Sequence, residues 1–476
     1  MFAVAATATV ALAGCGSDTT DTPAQSSGAP SAGDDLGAFR DIYRELIETN
    51  TTASAGNCTE AATKMADRLK AAGYPEDDLV QFVPEDHPKD GGLVATLQGS
   101  DPAAKPILLL AHIDVVEAKA EDWGRDPFKL VEENGYFIAR GAEDDKQMAA
   151  IWVDSLIRYR QEGFKPKKPI RIALTCGEEG GGTVNGAKWL HENRPDLVDV
   201  DFVLNEGAFG KLDADAKPVF LAVEAGQKVY QDFTLAATDE GGHSSQPRPY
   251  NPIVALGAGL DRLAAAPFPV QLNETTTAYF AGQAPLVPGE VGDAMRALAA
   301  NPNDAVAAAT VAQDPLSNGM MRTTCVATKF DGGHANNALP QNATANVNCR
   351  MLPGSNPQDV QDAIVKAVAD PKISVTPTDP FSTDIAKAPP LAPAVIDPIK
   401  EVAATIWPGI PLVPQMSPWG TDAAQFGDTP VYGLNGLFEQ PGESHIHGLN
   451  ERVRVQSLYD SRDFLYELVK KYTDGA

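Results

Sequence analysis

The chain is 476 residues long and 43% hydrophobic, a globular composition with more length than one hydrophobic core usually serves, so two domains are expected. Its 38 basic and 64 acidic residues give a formal charge of −26. A surface this acidic repels phosphate backbones and argues against nucleic acid as a partner; it also keeps a protein soluble, so it says little more.

The first residues, MFAVAATATVALAGC, are small and apolar up to Leu12 and then read Leu12-Ala13-Gly14-Cys15. This is similar to a bacterial lipobox, in which the cysteine is lipidated. Cys15 is therefore the expected lipidation site, and the protein is expected to be exported and lipid-anchored on the outer side of a bacterial membrane or in the periplasm. A plain cleavable signal and a chance cysteine are the other readings, and no Lys or Arg precedes the apolar run as a signal should have. The next stretch is rich in Ser, Thr, Gly, Pro and Asp and reads as a tether, so residues 1–35 are set apart from the fold. No later segment reaches the ~20 apolar residues of a membrane span.

Periodicity begins at residue 36. Phe39, Ile42, Tyr43, Leu46 and Ile47 recur at helical spacing. A second helix follows Asn57, with Glu60 placed as in a capping box, and stops at Gly73. Strands at 106–111 (PILLLA), 169–175 (PIRIALT) and 200–205 (VDFVLN) then alternate with helices at 144–163 and 184–193. Continuous apolar strands between helices predict an α/β fold, a mixed and largely parallel sheet covered on both faces. Near residue 227 the pattern changes. KVYQDFTLAAT alternates like a strand with one wet face. Helices at 253–265, 288–313 and 357–369, two strands within 321–352 and the strand KISVTPT follow. After a Pro-rich crossing come a helix at 395–406 and a final helix at 455–473. The expected organisation is a catalytic domain in two parts, 36–226 and 384–476, interrupted by an inserted α+β lid at 227–383.

Besides Cys15 there are Cys58, Cys176, Cys325 and Cys349, with no zinc-ribbon spacing. Cys325 and Cys349 lie on two strands that can run antiparallel, so a disulfide between them and a pair of buried thiols are both open.

Three apolar strands end in acids or an imidazole. ILLLA runs into His112-Ile113-Asp114, RIALT into Cys176-Gly177-Glu178-Glu179, and DFVLN into Glu206. Asp144 and Asp145 open a helix between the first two. The carboxyl ends of parallel strands form the ligand crevice of such a sheet, so one rim gathers these groups. That many carboxylates repel one another unless cations sit among them. A pair of divalent metals resolves the repulsion; mixed imidazole and carboxylate donors suit zinc without excluding cobalt or manganese. The loop GESHIHGLNER offers the further histidines His445 and His447.

The motifs HID, RGAEDDK, GEEGG, NEG, GGHSS and HGLNE, in that order, resemble the di-zinc metallopeptidase family of glutamate carboxypeptidase, carnosinase, carboxypeptidase S, aminoacylase and succinyl-diaminopimelate desuccinylase. The resemblance runs from about residue 36 to the end. It implies metal ligands at His112, Asp144, Glu179, Glu206 and His447, with Asp144 bridging and the peptide after it cis. His112 and Glu206 complete one metal site; Glu179 and His447 complete the other. His447 is preferred to His445 because the family's ligand precedes x-x-Asn/Asp-Glu, here Gly448-Leu449-Asn450-Glu451. The resemblance further implies that Asp114 orients the His112 ring, that Glu178 is the general base, and that His243 is the lid's oxyanion donor. It places substrate-binding Asn337 and Arg350 in a hairpin of the inserted domain, where a guanidinium can hold a carboxylate. GTDAAQF (420–426) matches a loop near the site, while His87, His191 and His334 read as surface residues. The implied activity is cleavage of an amide or peptide bond in a dipeptide, a C-terminal residue or an N-acyl amino acid. The family includes monomers and homodimers. The alternative is a solute-binding lipoprotein without catalysis, which needs no general base.

Overall fold

The apolar strand Ile107–His112 is buried along its whole length, and its two faces enter different cores in the computed structural model, which describes residues 32–381 and 387–474. Ile107, Leu109 and Ala111 pack with Phe39, Trp152 and Phe464; Leu108 and Leu110 pack with Leu190, Val198 and Phe426. Successive side chains of a strand point to opposite faces, so a strand covered on both sides must be apolar at every position. The chain separates into residues 1–38, described only from Ala32 as the opening of helix Ala32–Ile47, and residues 39–476. Cys15 and the expected boundary at 383/384 lie outside the described residues.

The central sheet is mixed, with a parallel middle. Ile107–His112 pairs in parallel with Ile170–Thr175 and Val203–Asn205, which in turn pairs in parallel with Val431–Gly433. Antiparallel strands extend both flanks: Gly92–Leu97 and Leu79–Phe82 on one side, Pro218–Gln227 and Gly210–Leu212 on the other. One face is covered by helices Cys58–Ala71, Lys146–Glu162, Pro393–Ile406 and Val455–Thr473. Asn57 caps the first of these through the amide of Glu60, as its spacing predicts. Helix Lys146–Glu162 is buried nearly all round. Its Asp154 meets Arg462 of the last helix at 2.7 Å, and its Lys146 ammonium donates to the carbonyls of Leu46 and Thr49.

A second, antiparallel sheet runs Thr324–Gly332, Asn342–Met351, Val229–Thr238, Ile373–Pro377. Helices Pro252–Ala264 and Pro357–Val368 cover one of its faces through Leu256 and Ile364, packed on Phe233, Leu235 and Val347. The expected single helical stretch at 288–313 is two helices, Glu290–Ala300 and Ala305–Val311. Pro302 has no amide hydrogen to continue the first, and the Asp304 carboxylate caps the second. With Glu274–Gln283 and Pro315–Met321 they form a separate core against Phe220 and Ala222 of strand Pro218–Gln227 and Val413 and Met416 of strand Leu412–Ser417. This middle part of the segment 227–383 therefore packs on the central sheet.

Both cysteine pairs are bonded. Cys325 and Cys349 stand opposite each other in adjacent strands. Cys58 opens helix Cys58–Ala71 and bonds to Cys176, which follows strand Ile170–Thr175; their distance in sequence concealed this pair. The two bonds close loops of 118 and 24 positions. If a disulfide acts by restricting the unfolded chain, replacing Cys58 and Cys176 by Ser costs about 5 kcal/mol and replacing Cys325 and Cys349 about 3.5 kcal/mol. Denaturant titration of the two double variants measures both, and a reversed order would reject that mechanism here.

Candidate metal centre

The carboxyl ends of the parallel strands present the site. His112 is the last residue of its strand, Glu206 directly follows strand Val203–Asn205, and Glu178 and Glu179 lie just beyond strand Ile170–Thr175. Asp144 precedes helix Lys146–Glu162, and the Asp144–Asp145 peptide is cis. His447 stands in the loop before strand Arg452–Arg454 with a left-handed φ of 61°.

These residues converge. Asp144 turns Oδ1 to His112 Nε2 at 2.9 Å and Oδ2 to His447 Nε2 at 3.1 Å. Glu206 approaches His112 Nε2 at 3.7 Å, and Glu179 meets His447 Nε2 at 2.9 Å. Two groups of three donors result, His112–Asp144–Glu206 and Asp144–Glu179–His447, each with its ligand atoms within 4.8 Å of one another. The groups share Asp144, one oxygen for each, which is the disposition of a carboxylate bridging two cations. Imidazole nitrogen and carboxylate oxygen in sets of three fit divalent metals that keep a further position open.

Asp114 is buried behind His112, with a difference from expectation. The ring Nδ1 lies 3.1 Å from the backbone carbonyl of Asp114 and 3.5 Å from its carboxylate. That carboxylate accepts the backbone amides of Glu178 and Glu179, at 3.4 and 3.1 Å, and so braces the acidic loop. Asp422, in the GTDAAQF loop, accepts from Thr175 Oγ1 and Asn185 Nδ2 and is pushed up to about 6 by burial.

Charge balance in the cluster falls to the imidazoles. Burial opposes ionisation of Asp144, but hydrogen bonds from His112 and His447 hold it below the usual carboxylate range. Hydrogen bonds to Asp144 and Glu179 raise His447 to about 10. His112 is raised as well, because Glu206, Asp114 and Asp144 outweigh the effect of burial. Burial lifts Glu178 to about 9; His112 pulls it down and Glu206 adds to the rise. The two imidazolium protons thus occupy the places that suit cations.

A cavity of about 390 Å³ opens over the cluster, lined by Asp144, Glu178, Glu179, Glu206 and His447 and walled by Phe209, Trp419 and Ile446. No local pattern in the sequence marks this wall, because its members belong to three separate loops. His445 lies outside both donor groups, its Nδ1 held by the carbonyl of Leu449. His243, Asn337 and Arg350 do not line the cavity. His243 is exposed on a short strand paired with Ala338–Leu339, the carbonyl of Asn337 accepts from Ser244, and Arg350 lies over the Tyr230 ring. His191, expected at the surface, is half-buried edge-on against Phe426.

The family model described as Peptidase family M20/M25/M40 matches residues 108–471. Human N-fatty-acyl-amino acid synthase/hydrolase is 27% identical over 437 residues, covering 89% of this chain and 85% of its own. An M20 family metallo-carboxypeptidase from Sulfolobus solfataricus has a similar structure, with a TM-score of 0.64 at 18% identity over 92% of this chain and 99% of its own. A dinuclear metal binding peptidase from Bacillus subtilis matches with a TM-score of 0.58 at 13% identity, over 93% and 100%. At such identities the two structures speak for the fold.

Since metal ligation requires neutral imidazoles, adding Zn²⁺ to metal-free protein near neutral pH is expected to release one proton from each of His112 and His447. An indicator dye in dilute buffer counts them. No release on saturation would mean that both rings were neutral beforehand.

Proposed function

Because the chain belongs to peptidase family M20/M25/M40, a family of metal-dependent hydrolases, we propose that it cleaves the amide bond of a small substrate carrying a free carboxylate, with two cations at the paired donor groups. The observation that carries this reading is Asp144, whose two oxygens serve the two groups. Zinc suits the donors best, and cobalt or manganese remain compatible. Bound there, the cations supply Lewis acidity, making water a nucleophile near neutral pH and polarising a carbonyl.

The chain's own residues do the rest. Glu178 lines the cavity and belongs to neither donor group, so its carboxylate is free to take a proton from the attacking water and return it to the leaving nitrogen. Its high proton affinity in the metal-free protein falls as positive charge is placed beside it. Phe209, Trp419 and Ile446 exclude water from one side and offer an apolar surface to the substrate. The human relative's name gives it N-fatty-acyl amino acids; for this chain the apolar wall favours an N-acyl amino acid or a dipeptide with an apolar residue. His243, Asn337 and Arg350 would serve as substrate-side groups, Arg350 from the second sheet, His243 from the short ladder of Gly242–His243 with Ala338–Leu339 and Asn337 from the residue before that ladder's second strand. Since they do not line the cavity, the segments that carry them, of this copy or of a second one, must close over it.

The test is a panel of dipeptides and N-acyl amino acids with Zn²⁺ present, read as free amine. Glu178→Gln is expected to keep two metals per chain and lose about 10²–10⁴-fold in kcat. Full turnover in that variant would remove Glu178 as the base. A wild-type protein that binds these compounds without cleaving them would favour the solute-binding alternative.

Arg350→Ala is expected to lower kcat/KM about 10–100-fold for substrates with a free carboxylate, the value of a charge-assisted pair, and to leave their amidated counterparts unchanged. Equal losses on both would dismiss a carboxylate clamp at Arg350.

A further inference from the structure

Glu451 is a wholly buried carboxylate that accepts four hydrogen bonds, all from the segment that ends in Asp144. Its Oε1 takes the backbone amides of Glu143 and Asp144, at 2.9 and 3.1 Å. Its Oε2 takes Arg140 Nη1 at 2.5 Å and the amide of Gly141 at 3.2 Å. Arg140, equally buried and resting on the Trp123 ring, sends Nη2 to the carbonyl of Gly448 at 2.9 Å. Gly448 is the neighbour of His447, and Glu451 lies four residues beyond it. One ion pair therefore ties the loop presenting the shared carboxylate to the loop presenting the second imidazole, across more than 300 positions of sequence.

The two donor groups depend on this tie unequally. His112 and Glu206 stand at the ends of sheet strands, which the hydrogen-bonded sheet and its two cores hold. His447 is half-exposed, and its loop contains three non-glycine residues at positive φ: His445, His447 and Asn450. L residues adopt that conformation at a cost, so the surrounding contacts must impose it. On the backbone next to His447, at Gly448, a part-buried hydrogen bond from outside the loop comes from Arg140.

We infer that Arg140 and Glu451 are positioning residues, which set the relative placement of Asp144 and His447 and thereby the affinity of the Asp144–Glu179–His447 group for its cation. The inference rests on the reading that the two groups hold metal. A Gln at 451 keeps the shape but turns an N–H₂ toward one pair of donors, so at least one loop loses its anchor. Partners that orient metal ligands from behind are worth about 10–100-fold in metal affinity.

The experiment is Zn²⁺ binding to metal-free full-length protein, competed with a chromophoric chelator to resolve two dissociation constants. Wild type, Glu451→Gln and Arg140→Lys are compared. The last keeps the charge while removing the second arm to Gly448, and it decides the question if Glu451→Gln does not fold. Asp154→Asn, which weakens the separate buried pair Asp154–Arg462 of the same domain, is the stability control. The expected result is one site weakened about 10–100-fold and the other held within about 3-fold, with the control lowering Tm and leaving both affinities alone. Raising Zn²⁺ should restore kcat in the variants. Two unchanged affinities, or two equal losses, overturn the positioning role while the metal reading stands. A wild-type protein that binds no Zn²⁺ overturns the metal reading and this inference with it.

Discussion

Asp144 shares its carboxylate between two imidazoles, and the electrostatics of the whole site turns on that sharing. Around it stand Glu143, Asp145, Glu178, Glu179 and Glu206, mostly shielded from water. Left without positive charge, such a set gains proton affinity: burial first, then the neighbouring carboxylates, raise Glu143, Asp145, Glu178 and Glu206 above the usual carboxylate range. Two imidazolium ions relieve the repulsion in part. Two divalent cations at the same places relieve it further and free the imidazoles to act as ligands. The same crowding that makes the cluster unfavourable by itself would, on the proposed reading, favour divalent cations there.

Holding charged groups at fixed distances needs a rigid frame, and the central sheet provides one. Strands covered on both faces have little freedom to shift, because every side chain is packed. His112 and Glu206 inherit that rigidity directly. Glu178 and Glu179 sit one step further out and depend on added braces. The Asp114 carboxylate holds their amides, Asp422 joins Thr175 to Asn185, and the Cys58–Cys176 bond fastens the chain two residues before Glu178. His447 is furthest from the sheet and hangs on the Arg140–Glu451 pair. The further a donor stands from the sheet, the more its placement depends on such contacts from other segments.

The cavity divides its work between a charged floor and an apolar wall. Phe209, Trp419 and Ile446 come from loops after different strands, and nearly half of the Trp419 surface meets solvent. Under the proposed function, an apolar side facing such a floor would sort substrates by their uncharged portion, and recognition of a charged end would fall to groups outside the cavity. Arg350, on the second sheet with its own hydrophobic core, is the residue proposed for that task.

The amino-acid sequence by itself determined the elements and the chemistry at their ends. Short apolar runs such as ILLLA, alternating with helices, read as strands buried on both faces, and His112, Glu178, Glu179 and Glu206 follow closely after such runs, so the rim they share was legible from local pattern. The broken helix near Pro302 was legible in principle, since a residue without an amide hydrogen disfavours a helix interior, but the alanine-rich composition on both sides masked it. The tertiary structure alone decided what lies across long separations. It paired Cys58 with Cys176, split the oxygens of Asp144 between His112 and His447, set Glu451 under the Asp144 loop and assembled the apolar wall. None of these leaves a periodic trace, because each depends on where whole strands and loops come to rest in space, and a side chain's reach is a few ångströms however many residues intervene.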